Sequence, residues 1–129
     1  MTKKRHISRL FILAINLIFL CSVSSAEQVP LSGNFLSTIE DIPVAPGMTE
    51  LHSEKIIFET IGGRIAEAQV VGRKTPNAVR VFYRETLPQL GWKRIRNDIY
   101  DREDEILNIN VTRSGNDTLV TFMLRPKNN

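Results

Sequence analysis

Apolar and polar positions alternate with a period of two through most of the C-terminal half of this chain. From Glu105 to Arg113, Leu107, Ile109 and Val111 fall on one side, with Asn108, Asn110 and Thr112 on the other. Thr118 to Arg125 repeats the pattern with Val120, Phe122 and Leu124 inward, after a turn at Ser114-Gly115-Asn116-Asp117. Such alternation marks half-buried strands of an antiparallel sheet with one covered face. Lys93 to Arg96 and Ile99 to Arg102 read as two shorter strands about an Asn97-Asp98 turn. Upstream, Lys55 to Glu59 and Arg64 to Arg73 read as a hairpin about Gly62-Gly63. On its second strand Ala66, Ala68 and Val70 share a face and are small enough to let a helix approach closely. Ile65, Glu67, Gln69 and Val71 make the other, mixed face.

The period changes only between Thr75 and Trp92. Thr75 suits an N-cap and Pro76 the first helical position, where its missing N–H costs nothing. With Phe82 set at 0° and about 100° per residue, Val79, Leu90, Tyr83 and Leu87 fall at about 60°, 80°, 100° and 140°, and Ala78 near −40°. That arc is the expected buried face. Arg80 and Arg84 fall at about 160° and 200°, with Pro88 and Val81 at about 240° and 260°, on the expected outer side. Pro88 removes one backbone hydrogen bond, so it kinks the last turn or ends the helix at Leu87. Gly91 suits the left-handed residue past the end, and Trp92 the position where a Schellman motif folds back onto Leu87. The predicted architecture is α+β in two layers: a β-hairpin, one amphipathic helix, then an antiparallel meander, with the helix packed on one sheet face.

Residues 27–54 show no sustained period and contain Pro30, Pro43 and Pro46. They are expected to form an extended arm ahead of a single domain over residues 55–126, with 127–129 as a polar tail. Within the arm, Ile42, Val44 and Met48 read as plugs for one edge of the core. The prolines alternatively make a polyproline-like strip for a partner.

Residues 1–26 look like an address. Lys3, Lys4, Arg5 and Arg9 precede an apolar run from Leu10 to Leu20 broken only by Asn16, and Ser24 and Ala26 suit a cut before Glu27. This is the layout of a cleaved secretory signal peptide. The run is short for a retained membrane anchor, and bulky Leu20 before Cys21 argues against a lipoprotein. Charge changes the picture once the leader is set aside. Four of the 17 basic residues lie in the leader and none of the 14 acidic ones do, which turns a net +3 into −1 for residues 27–129. A basic-patch argument for nucleic acid therefore fails. Cys21 is the only cysteine, so the exported chain is expected to hold no disulfide.

Ile42-Pro43-Val44-Ala45-Pro46-Gly47-Met48, Gly63-Arg64-Ile65 and the run Phe82-Tyr83…Thr86-Leu87-Pro88-Gln89-Leu90-Gly91-Trp92 resemble a group of small exported proteins of alphaproteobacteria. The resemblance covers nearly all of residues 27–129. It implies a Gram-negative periplasmic setting and carries no catalytic residue across.

Candidate chemistry is sparse. Nucleophilic catalysis needs a nucleophile beside a base, and His52 is the only histidine after the leader, in a loop-like stretch. Asp98, Asp101, Glu103, Asp104 and Glu105 crowd one stretch without calcium-loop spacing, and read as a solvated hairpin tip. No catalytic residue, metal ligand or cofactor is assigned. The expected function is a non-enzymatic periplasmic module that binds an envelope protein through Arg80, Val81, Arg84 and Pro88. Two alternatives stand beside it: a carrier with an apolar pocket lined by Phe82, Leu90, Ile109 and Phe122, and an enzyme relying on a metal or its substrate.

Overall fold

A computed structural model describes residues 33–52 and 56–127. The expected leader, its cut after Ala26, and the last two residues lie outside them. Seven strands and one helix follow the chain: β1 (Thr49–Glu50), β2 (Ile56–Thr60), β3 (Gly63–Gly72), α1 (Pro76–Thr86), β4 (Lys93–Arg96), β5 (Ile99–Arg102), β6 (Glu105–Ser114) and β7 (Asp117–Pro126). All neighbouring strands are antiparallel, in the order β1-β3-β7-β6-β5-β4, and β2 also pairs with β3. The fold is α+β with the helix packed on one face of the sheet.

The central strands carry out the alternation of the sequence. Ala66 pairs with Leu124, Ala68 with Phe122 and Val70 with Val120, and all six side chains are buried. Ile109 faces Phe122 and Leu107 faces Leu124 on the next lane, again buried. Against this surface α1 lays Val79 and Tyr83, with Leu87 just beyond its end. The Tyr83 ring meets Phe122 edge-on, with centroids 5.2 Å apart.

Local chemistry sets both ends of the helix. Thr75 Oγ1 accepts from the Ala78 N–H at 3.2 Å, and Pro76 opens the first turn. The α-helix closes at Thr86, and Leu87–Leu90 continue as a 3₁₀ turn. Pro88 has no N–H to give the Arg84 carbonyl, so the tighter turn replaces the α-helical one instead of kinking it. Gly91 adopts φ 87°. Its N–H donates to Pro88 O at 3.2 Å and the Trp92 N–H to Leu87 O at 3.1 Å, the paired bonds of a Schellman motif.

Two helix positions depart from expectation. Ala78 is exposed and Val81 half-buried. The buried residues Val79, Tyr83 and Leu87 centre on about 100° of the helical wheel. The helix is therefore rolled away from Ala78, and Arg80, near 160°, comes down toward the sheet. Val81 is flanked by Asn77 and Glu85 one turn to either side, and such neighbours part-cover a valine even on an outer face.

The segment before β1 belongs to the same core. Leu36, Ile39, Ile42, Ala45 and Met48 are buried in one cluster with the helix and sheet, and Val44 packs against it. Phe35 and Pro43 form an isolated antiparallel bridge that folds the segment on itself. Tyr83 pins it down: its hydroxyl donates to Pro43 O at 3.0 Å and accepts from the Ala45 N–H at 3.2 Å. Gly72 lets the Pro46-Gly47 turn lie against β3, because a Cβ there would collide with Gly47 O and Met48. The proline strip is thus largely inward: Ile42, Pro43 and Ala45 are buried.

Candidate binding groove

Helix α1 presents Asn77, Arg80 and Arg84 at spacings of three and four, which stacks them on one flank. The β4–β5 hairpin presents Arg94, Asn97, Asp98 and Tyr100 opposite. Together these seven residues line a surface groove of about 410 Å³. The hairpin geometry sets its floor. Asp98 takes a left-handed φ of 57°, and its carbonyl accepts from the Ile109 N–H at 2.8 Å. Arg94 stands opposite Tyr100 in the register, and the ladder shifts between Arg94 and Arg96, with Ile95 exposed at the bulge.

Arg80 is fixed within the groove. Its Nε donates to Asp98 Oδ2 at 2.9 Å and a terminal nitrogen donates to Val111 O at 3.0 Å. Among the described residues, the side chains of Arg84 and Arg94 make no hydrogen bond or ion pair within the chain. Three guanidinium groups therefore share one carboxylate, and the lining carries two positive charges in excess. Tyr100 is buried as a residue, and burial, then Asp98, push its phenol above the ordinary range, while Arg94 and Arg84 pull it the other way. A groove so lined with guanidinium forks, two amides and a phenol is built to accept oxyanions by charge-assisted, bidentate hydrogen bonds.

Of the four residues expected on the docking face, the structure gathers Arg80 and Arg84 into this groove and leaves Val81 and Pro88 outside its lining. Asn77, Arg94, Asn97, Asp98 and Tyr100 were missed. A regular two-residue turn at Asn97-Asp98 would set Ile95 opposite Tyr100; the bulge at Ile95 puts Arg94 there instead, so neither that pairing nor its meeting with the helix flank was readable from the sequence.

The acidic stretch does not form one tip. Asp98 lies in the β4–β5 turn, and Glu103 and Asp104 lie in the turn at the far end of β5. The acids also answer to separate bases: Asp98 to Arg80, Asp101 to Lys127 Nζ at 2.9 Å, and Glu105 to Arg64 Nε at 2.7 Å. Among the described residues no three acidic, histidine or cysteine side chains are placed to hold a metal ion. His52 is exposed, beside a surface cavity it shares with Phe35 and Glu50. Of the four residues expected to line an apolar pocket, Ile109 and Phe122 are buried in the core, while Phe82 and Leu90 pack on it part-buried.

A second arginine cluster sits at the end of the 3₁₀ turn. Arg102 pairs with Asp41, donates to Leu90 O at 3.3 Å and lies 4.2 Å above the Trp92 ring. Arg64 pairs with Glu105, which holds its guanidinium above the ordinary range, and lies 3.7 Å from Asp41. Two cations here meet two anions.

Fold and groove together define a small α+β domain with one sheet face covered, one open, and a cationic groove on the flank of its helix. Comparison with protein-family models, with curated proteins and with solved structures finds no match for this chain. Among the described residues no helix is long and apolar enough to cross a membrane.

Proposed function

We propose that this protein is a non-enzymatic binding module of the periplasm that takes an acidic segment of an envelope protein into the groove between α1 and the β4–β5 hairpin. The observation that carries the reading is the charge imbalance of that groove, three arginines against Asp98. Arg80, fixed by Asp98 and Val111, acts as the rigid wall, and Arg84 and Arg94 close on the incoming carboxylates. The export pattern of residues 1–26 and the resemblance to exported alphaproteobacterial proteins support the compartment.

The test is co-purification of tagged protein from its own envelope fraction after cross-linking. Replacing both free arginines (Arg84→Glu with Arg94→Glu) reverses the charge of the groove without touching an intrachain bond. The partner is expected to be lost, with affinity down by about a hundredfold for two charge-assisted contacts, while the melting temperature stays put. Undiminished co-purification would remove the groove from the docking site.

A further inference from the structure

Strand β2 is exposed on both faces along its whole length, although it reads Ile56-Ile57-Phe58-Glu59-Thr60. Phe58 is 62 % exposed, and Ile56, Ile57, Ile61 and Ile65 around it are also open. Among the described residues its hydrogen-bonding edge is open too. The two-residue loop Ile61-Gly62 makes Thr60 and Gly63 a bonded pair, so Thr60, Phe58 and Ile56 turn their backbone groups toward β3. Ile57 and Glu59 turn theirs outward. β1, on the same side of β3, pairs only at Val70 and Val71 and does not reach them.

Edge strands of this kind are normally blunted by charge, proline or a bulge. The opposite edge of this sheet is guarded in that way: β4 carries Lys93, Arg94 and Arg96 and an irregular register at Ile95. β2 carries a single charge, Glu59 near its loop end, and neither proline nor bulge over Ile56–Thr60, which marks it as a strand meant to be covered.

We infer that β2 is a self-association edge, on which a second copy of this chain pairs antiparallel, β2 to β2, about a two-fold axis at Ile57. Ile57 and Glu59 already offer outward N–H and C=O groups in the parity that such a ladder needs. The register sets Ile57 against the partner's Ile57 and Ile56 against the partner's Phe58, apolar on apolar on both faces. The charge fits as well: an axis at Glu59 would set that carboxylate against its own copy, whereas an axis at Ile57 keeps the two apart. Pairing β2 onto β4 of another copy would be heterologous and open-ended, and it would meet the bulged cationic edge. The closed isologous pair joins two sheets into one and hides both apolar edges. This inference is independent of the groove.

Sedimentation of the purified protein across the micromolar range tests it. The expected result is a reversible dimer whose dissociation constant rises about tenfold or more in Phe58→Asp, which sets a carboxylate against the partner's Ile56 on either side of the axis. Ile57→Lys, at the axis itself, brings two like charges face to face and is expected to abolish the dimer. Both sites are solvent-exposed, and circular dichroism checks that each variant is folded. A protein that stays monomeric throughout would overturn the inference and leave β2 for a strand of some other protein. A dimer indifferent to Phe58→Asp and Ile57→Lys would overturn it equally.

Discussion

Two groups of arginines flank this sheet, and they differ in how many acids they meet. Arg64 and Arg102 are matched by Glu105 and Asp41, and their side chains are only 35 % and 23 % exposed. Arg80, Arg84 and Arg94 share Asp98 alone. The first group fastens the segment before β1 to β3, β5 and β6, since Asp41 comes from that segment and the other three residues from the strands. The second leaves charge unspent at the surface. Neutralised arginines hold a fold together, and arginines in excess are available to something outside it.

The largest effect is expected from breaking the matched group. Arg102→Ala removes the nearer of the two partners of Asp41, a hydrogen bond to Leu90 O and the stacking on Trp92 together. A loss of about 2–4 kcal/mol in urea unfolding is expected, because the part-buried Asp41 carboxylate keeps only its longer 3.7 Å contact to Arg64 and the packing on Trp92 goes with the charge. Partner capture should be unchanged at temperatures where the variant is folded. A loss below about 0.5 kcal/mol, the level of an exposed pair, would show that the matched group is as loosely held as the groove.

A smaller effect is expected at the other tether of the same segment. Burial pushes the Tyr83 phenol well above its ordinary value of 10.0, and the Ala45 N–H offsets only part of that. The folded state thus keeps the proton after the unfolded chain has released it. The stabilisation is complete below the ordinary phenol value and is lost as pH rises above it, at about 1.4 kcal/mol per pH unit. Tyr83→Phe should cost about 1–2 kcal/mol at neutral pH through the bonds to Pro43 and Ala45. It should also flatten the alkaline limb of a stability-versus-pH curve. Parallel alkaline limbs for wild type and variant would show that Tyr83 does not hold the segment through its protonated form.

How much of this was legible follows from distance along the chain. The Thr75 cap, Pro76, the Gly91-Trp92 closure and the inward set Ala66, Ala68, Val70, Val120, Phe122 and Leu124 depend on neighbours a few residues away or on strand period. All appear as expected. The segment 33–48 was read as an arm because its apolar residues follow neither period, yet Leu36 and Ile39 enter the core through irregular backbone. The groove depended on a rotation. The apolar arc from Ala78 to Leu87 is wide enough for several rolls of the helix, and only packing chose the one that brings Arg80 to Asp98, 18 residues away. Arg102 and Asp41 are 61 residues apart, and no pattern in either stretch announces the other.

The smallest expected effect is the one that sharpens the contrast between the two groups most directly, because its two readouts move in opposite directions. Asp98→Asn keeps a side chain that tolerates the left-handed turn at this position while removing the one carboxylate of the groove. Arg80 loses an ion pair that is part-exposed, so the stability cost should stay within about 0.5–1 kcal/mol. The groove gains a third uncompensated cation, and affinity for an acidic partner segment should rise severalfold, most clearly at low salt, where charge–charge attraction is least screened. The matched group predicts the reverse: removing Asp41 or Glu105 leaves a part-buried guanidinium with only a longer contact to the remaining acid and costs stability with no gain in binding. If Asp98→Asn instead weakened capture, Asp98 would be a contact or a positioning residue for the partner, and the groove would recognise something other than negative charge.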